Sequence, residues 1–312
     1  MDRKRRFNRI TRRGILGSAA AGLALALARP ARAGERRRRM PWINRYLPEV
    51  AATPLIPLRL EPDDAIVYAK LEFMNPSGST KDRIARYMLE KAWRRGDVSK
   101  GGRVVEASSG STSMSLALVC AQMGLRFQAV MAEGVSPERI LNIRAYGGEV
   151  ELVAKDAGIQ GAQARAQEIA GESGAFYTRQ FENPDNPAAH REGTGREALD
   201  QVPGGIVDAV VAGVGTGGTL VGLYEACRER GGQPVPVNAR PVDRQCEDPA
   251  ERGPYSKRVP GVVEGASTIF AEAALPGLRT EDVTADEAMD TARRLGRMGF
   301  PVGPSSGLNV AA

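Results

Sequence analysis

At 312 residues the chain can bury a full core, as one large or two medium domains. Its formal charge of +6 suggests a nucleic-acid or membrane surface, but residues 1–40 hold 13 of the 43 Lys and Arg and 2 of the 37 Asp and Glu, which leaves 30 basic against 35 acidic residues elsewhere. A mildly acidic body excludes a surface that tracks nucleic-acid phosphates, because counterion release needs cations clustered on the folded domain. His190 is the only histidine, and Cys120, Cys227 and Cys246 lack metal-ligand spacing, so a Ser-His triad and histidine-ligated zinc are excluded as well.

The chain opens with basic residues through Arg9, then Thr11-Arg12-Arg13-Gly14-Ile15-Leu16, an apolar run from Ile15 to Ala28, and Ala31-Arg32-Ala33. This layout predicts a twin-arginine-type signal over 1–33, with the mature chain starting near Gly34 in the periplasm; a basic tail on a cytoplasmic protein is the alternative. The apolar run is too short to span a bilayer comfortably.

From Ile66 onward short apolar runs alternate with helical patterns, which predicts parallel sheet covered by helices. In chain order the expected elements are strand Ile66–Phe73, helix Arg83–Trp93, strand Val104–Glu106, helix Thr112–Met123, strand Phe127–Met131 and helix Glu138–Tyr146. Strand Val150–Val153, helix Gly161–Glu172, strand Ala175–Thr178, helix Arg191–Asp200, strand Val207–Ala212, helix Leu220–Arg230, strand Val235–Ala239 and helix Ala285–Met298 follow. Ser136-Pro137 offers an N-cap with proline at the first helical position, and Thr284-Ala-Asp-Glu287 matches a capping box. Beyond Ala239 the Pro-rich, charged stretch to Arg258 shows no periodicity and reads as a long surface loop. Cys120 and Cys227 read as buried thiols on apolar helices; a Cys227–Cys246 bridge is open, but the spacing does not demand it.

Four Gly/Ser/Thr-rich loops are expected at strand-to-helix junctions: Asn75-Pro-Ser-Gly-Ser-Thr-Lys81, Ser108-Ser-Gly-Ser-Thr-Ser113, Gly215-Thr-Gly-Gly-Thr219 and Gly303-Pro-Ser-Ser-Gly307. In a parallel sheet such junctions share one edge, where helix N-termini offer free amides to anions. Gly215–Thr219 reads as a phosphate cup. Gly213 to Gly218 also fits G-x-G-x-x-G, but a dinucleotide site so late in the chain would leave the other three loops unexplained. Lys81, at the positive end of a helix dipole, is pushed toward the neutral amine that builds a Schiff base.

These residues carry a family resemblance. Asn75–Arg83 resembles the Schiff-base loop of the cysteine synthase and cystathionine β-synthase group of pyridoxal-phosphate enzymes, and Glu106-Ala-Ser-Ser-Gly-Ser-Thr112 is similar to its substrate-carboxylate loop. Gln180-Phe-Glu-Asn-Pro-Asp-Asn-Pro187, Gly215–Thr219 and Gly303–Gly307 resemble three further motifs in the same order, with coverage from about Trp42 to the end. The resemblance implies an α/β fold of two domains, each a largely parallel sheet covered by helices, with the cofactor in the cleft between them. The N-terminal domain is expected over 34–185 and the C-terminal domain over 186–312, the latter cut short because the family continues with a further helix.

It implies that Lys81 carries pyridoxal 5'-phosphate and later moves the substrate's α-proton, and that Gly215, Thr216, Gly217, Gly218 and Thr219 hold the phosphate. Ser108, Ser109, Thr112 and Gln180 would hold the amino-acid carboxylate. Ser305 would face the pyridine nitrogen; a serine does not keep that nitrogen protonated, which disfavours transamination. Ser111 stands where the family has an asparagine on the cofactor's ring hydroxyl, a loss on the order of 1 kcal/mol. The implied reaction is β-replacement on an activated serine, most directly O-acetylserine plus sulfide giving L-cysteine. Cystathionine formation, diaminopropionate formation, cysteine desulfhydration and a non-catalytic cofactor binder are the alternatives. The implied partners are a small amino acid, sulfide or another small nucleophile, and a second copy in a homodimer.

Overall fold

The computed structural model describes residues 52–62, 65–246 and 252–312. The leader and its expected boundary at Gly34 lie outside these residues. The chain enters through an antiparallel pair, β1 (Leu55–Leu58) and β2 (Val67–Lys70). A 3₁₀ turn at Glu72–Met74 then leads to α1 (Lys81–Arg95).

Alternation follows: β3 (Arg103–Ala107), α2 (Ser111–Met123), β4 (Arg126–Ala132), α3 (Pro137–Ala145), β5 (Glu149–Val153), α4 (Gly158–Ser173) and β6 (Phe176–Tyr177). These strands form one parallel sheet in the order β5-β4-β3-β6. The strands are short apolar runs because both faces are covered. Val104, Phe127 and Met131 pack with Leu89, Trp93, Leu116 and Ile143 on one side, while Val105 and Val130 pack with Ala162, Ala166 and Ile169 of α4 on the other. The period-2 switch between neighbours puts every second strand residue on each helical layer.

The chain then runs through α5 (Asp185–Ala189), a π-helical turn (His190–Gly195) and α6 (Arg196–Gln201). Thus the single helix expected over Arg191–Asp200 starts earlier and is widened at its middle. A second parallel sheet, β7-β8-β9, is built from β7 (Ala209–Ala212), β8 (Val235–Val242) and β9 (Arg279–Thr284). The helix α7 (Gly218–Glu229) follows β7, and α8 (Thr268–Glu272), α9 (Ala285–Arg297) and α10 (Pro304–Ala311) complete the order. One face buries Val210, Ala212, Leu220, Tyr224 and Cys227; the other buries Ala239, Val283, Ala288 and Leu308.

Three expectations need correction. The Ile66–Phe73 strand ends at Lys70, because Glu72 turns into the 3₁₀ segment to meet Arg83. The surface loop after Ala239 begins later, since β8 runs on to Val242 through Arg240 and Pro241. A proline is tolerated there because β7 pairs only as far as Asn238. Pro241 needs no ladder donor, and its carbonyl accepts from the Ser256 N–H at 2.9 Å. Finally, only two of the four loops leave strands of a parallel sheet. The Asn75–Lys81 loop follows the 3₁₀ turn, and Gly303–Gly307 follows α9 through an unpaired Phe300–Val302 stretch containing Pro301.

Candidate active site

Lys81 is the first residue of α1, with Thr80 as its N-cap. The preceding loop is folded around Asp82, whose carboxylate accepts from the Ser77 N–H at 2.7 Å and the Ser77 hydroxyl at 2.5 Å. Ser77 in turn lies 3.1 Å from Ser115 on α2, which fixes the lysine loop against the helix of the substrate loop. Burial pushes the Lys81 pKa down, and the negative charge of Glu72 opposes that shift without cancelling it. The amine is thereby moved toward its neutral, nucleophilic form.

Glu72 itself belongs to a charged cluster beneath the loop. Arg83 donates to Glu72 at 2.6 and 2.8 Å and to Glu197 of α6 at 2.8 and 2.8 Å. Lys70 joins Glu197 at 3.0 Å, and Thr53 donates to Glu72 at 2.7 Å. Sequence reasoning assigned none of these residues a role; the signal available was Arg83, three residues into a helix and too short of solvent on that apolar face.

The β3–α2 junction carries the expected substrate loop. Thr112 donates to Gln180 at 2.6 Å, both side chains buried, and Gln180 donates to the Ala107 carbonyl at 3.2 Å. Ser108 is buried, and its hydroxyl accepts from the Gly110 N–H at 3.2 Å. Ser109 is half-buried and its carbonyl accepts from Arg139 of α3 at 2.8 Å. Ser111 opens α2, half-buried. Beneath them Glu106 accepts from the Ala107 N–H at 2.7 Å, the Gln180 N–H at 3.0 Å and the Thr178 hydroxyl.

The β7–α7 junction forms the cup. Gly217 has φ +78°, a left-handed conformation that suits glycine, and a Cβ there would lie 2.6 Å from the Phe270 Cβ. At Gly215 a Cβ would meet the Gly261 carbonyl at 2.3 Å, and at Gly218 it would meet Asn186 Oδ1 at 1.9 Å. The cup closes this tightly only because it is built of glycines. The first amides of α7 have no partner within the helix and converge on it, which suits an anion.

Asn186, fully buried, joins the two loops. Its Nδ2 donates to the Gln180 carbonyl at 2.7 Å and to Thr216 at 2.9 Å, while its Oδ1 has no partner. His190 lies 3.3 Å from Thr219 through Nε2 and 2.9 Å from Thr194 through Nδ1. Both residues escaped sequence reasoning, although Asn186 lies in the Gln180–Pro187 run that carries the resemblance. Ser305 is half-buried in the first turn of α10; one turn on, Asn309 accepts from the Gly213 N–H at 2.7 Å and so holds the helix beside the cup's entrance. The structure thus ties Thr112, Gln180 and Thr216 into one line, and Thr219 to His190, whereas Ser305 reaches the site only through its helix.

A lysine amine stripped of solvent, with an anion cup and a polar loop linked to each other, is suited to holding a phosphorylated aldehyde through its carbonyl carbon. The class is therefore a cofactor-dependent enzyme, and the residues present fit pyridoxal phosphate. The chain belongs to the family of pyridoxal-phosphate dependent enzymes, whose model matches residues 46–312. It is 39% identical to a cysteine synthase of Staphylococcus aureus over 273 residues, 84% of this chain and 85% of that protein. A crystal structure of O-ureido-L-serine synthase superposes with TM-score 0.74 at 36% identity, over 84% of this chain and 83% of the other. That of O-acetyl serine sulfhydrylase isoform 3 from Entamoeba histolytica gives TM-score 0.74 at 27% identity, over 90% and 84%.

Proposed function

We propose that the protein catalyses β-replacement on an activated serine, with O-acetylserine and sulfide as substrates and L-cysteine as product. The observation that carries this reading is the hydrogen-bonded line Thr112–Gln180–Asn186–Thr216, which links the loop read as the carboxylate site to the loop read as the phosphate cup. Pyridoxal phosphate, when bound, supplies the electron sink that makes an amino acid's α-proton acidic and its β-substituent a leaving group. The chain's own residues do the rest. Lys81 offers the amine that captures the cofactor and, once released, takes the α-proton as a general base. The amides of Gly217, Gly218 and Thr219, with the hydroxyls of Thr216 and Thr219, anchor the phosphate. Ser108, Ser109, Thr112 and Gln180 would hold the carboxylate, and Ser111 and Ser305 would serve the cofactor's ring hydroxyl and ring nitrogen.

A second reading, replacement by a nucleophile other than sulfide, is favoured by one finding: identity to the O-ureido-L-serine synthase of Streptomyces lavendulae is 38%, almost that to the cysteine synthase. The proposal includes export by the leader and assembly as a homodimer.

The test is an absorption spectrum of protein reconstituted with excess cofactor, taken before and after O-acetylserine, with and without sulfide. A visible band that is absent in Lys81→Ala, shifts on adding O-acetylserine and returns with sulfide as cysteine accumulates is expected. A colourless wild-type protein would overturn the assignment of Lys81, and consumption of O-acetylserine without cysteine would move the reaction to the second reading.

A further inference from the structure

Arg139 is third in α3, at the positive end of the helix dipole, where a cation is disfavoured. Among the described residues no carboxylate pairs with it, and nothing in the proposed chemistry uses it. Half-buried, its guanidinium instead donates through Nη1 to the Ser109 carbonyl at 2.8 Å. The sheet makes that reach possible: β3 and β4 are parallel neighbours, paired from Arg103 with Arg126 to Ala107 with Val130, so the loops that leave them lie side by side. The Ser108 N–H still donates to the Val130 carbonyl at 3.1 Å before the chain turns into α2.

The contact reaches the substrate loop through one peptide group. The Ser109 carbonyl and the Gly110 N–H belong to the same trans peptide, and that N–H donates to the Ser108 hydroxyl oxygen at 3.2 Å. A cationic donor on the carbonyl draws electron density across the peptide and makes its N–H a stronger donor. Ser108 is buried, its N–H is taken up by Val130, its carbonyl by the Ser113 hydroxyl at 2.7 Å, and its hydroxyl oxygen by Gly110. The hydroxyl proton is the donor left over, and a carboxylate only accepts. We propose that Arg139 is a positioning residue for the amino-acid carboxylate: by holding and polarising the Ser109–Gly110 peptide, it keeps the Ser108 hydroxyl turned to donate its proton to the substrate. The inference rests on reading the β3–α2 loop as the carboxylate site.

The probes are L-alanine and ethylamine, added to protein loaded with the cofactor. Both bring an amine, neither has a leaving group, and only alanine has a carboxylate. Binding is read as the concentration that half-completes the shift of the visible band. Arg139→Met keeps the side chain's apolar stem without its donors, and a band of wild-type intensity before titration shows that the site is intact. This variant should need roughly fivefold to tenfold more L-alanine, the value of one hydrogen bond, and the same concentration of ethylamine as wild type. In a Ser108→Ala background, which itself weakens L-alanine binding, adding Arg139→Met should change little further. Unaltered L-alanine binding in Arg139→Met, an equal loss for both amines, or a full further loss in the Ser108→Ala background would sink the idea. A band lost in Arg139→Met would assign the residue to the fold rather than to the carboxylate, and would count against the proposal too. A fault in the loop reading would show separately, as Ser108→Ala protein that binds L-alanine like wild type, and a fault in the cofactor reading as wild-type protein that never develops the visible band.

Discussion

Glutamates of this protein meet opposite fates according to what burial is matched against. Glu72 and Glu197 are partly desolvated, yet the Arg83 guanidinium holds both below the usual carboxylate range. Glu106 is fully buried with no cation in contact. Desolvation, helped by the charge of Glu182, outweighs its three hydrogen bonds and raises its pKa from 4.5 to about 7. The folded protein therefore keeps a proton that the unfolded chain has released over that window, and stability falls as pH rises through it, then levels off. The span converts to roughly 3 kcal/mol at most. Glu106→Gln cannot titrate, so its urea midpoint should change less than that of wild type between the two sides of the window; parallel curves for the two proteins would contradict the assignment. The same substitution puts an NH2 against either the Ala107 amide or the Gln180 amide, which donate to different oxygens of Glu106, and it should also weaken binding of the amino-acid substrate, read as a raised KM.

At the scale of elements, α9 and α10 touch more closely than two ordinary helices can. A Cβ on Gly307 would lie 1.9 Å from the Ala288 carbonyl and 2.7 Å from the Ala292 nitrogen. Since the obstacle is backbone, α10 itself must move in Gly307→Ala, and Asn309 moves with it, away from the Gly213 N–H. Thermal denaturation should show a loss of roughly 1–3 kcal/mol, and cofactor should dissociate faster; a variant unaffected in both would show that α10 does not support the cup. The helices and strands around the site were legible because apolar runs bounded by glycine and proline declare buried parallel strands. Thr284 even caps α9 through the Glu287 N–H at 3.1 Å, as the sequence pattern predicts. Less visible were β9, an edge strand reading Arg-Thr-Glu-Asp-Val-Thr with few apolar residues, and the end of β8, where Arg240 and Pro241 break the alternation. The Gly/Ser/Thr-rich loops stood out in the composition and their roles were read from the family resemblance, but the contacts of Asn186, His190 and Glu106 were not legible. Their roles depend on partners up to 74 residues away, and no local pattern announces such pairings.

Across the whole molecule, Arg83 joins the lysine-bearing helix to the segment that leads into the second sheet. Its guanidinium is 5% exposed and chelates one carboxylate from each side, Glu72 and Glu197. Such a cluster is held in place by its own completeness: removing one member strands the others in a poorly solvated site, whereas removing the whole set can cost little. Arg83→Met should therefore destabilise by about 3–5 kcal/mol, while Arg83→Met combined with Lys70→Met, Glu72→Met and Glu197→Met, which also removes the ammonium paired with Glu197, should recover most of that loss. Urea titrations of both proteins decide the matter, and a quadruple variant no more stable than the single one would show that geometry, not charge balance, is at stake. The charge also reaches the chemistry. Glu72 is the group that pulls the Lys81 pKa upward, and Arg83 is what offsets Glu72. Without the guanidinium, Lys81 should hold its proton to higher pH. The pH at which apoprotein captures added cofactor at half its maximal rate should then rise in Arg83→Met, and it should fall below the wild-type value when Glu72 is removed as well. An unchanged profile in both would separate the cluster from the lysine it underlies.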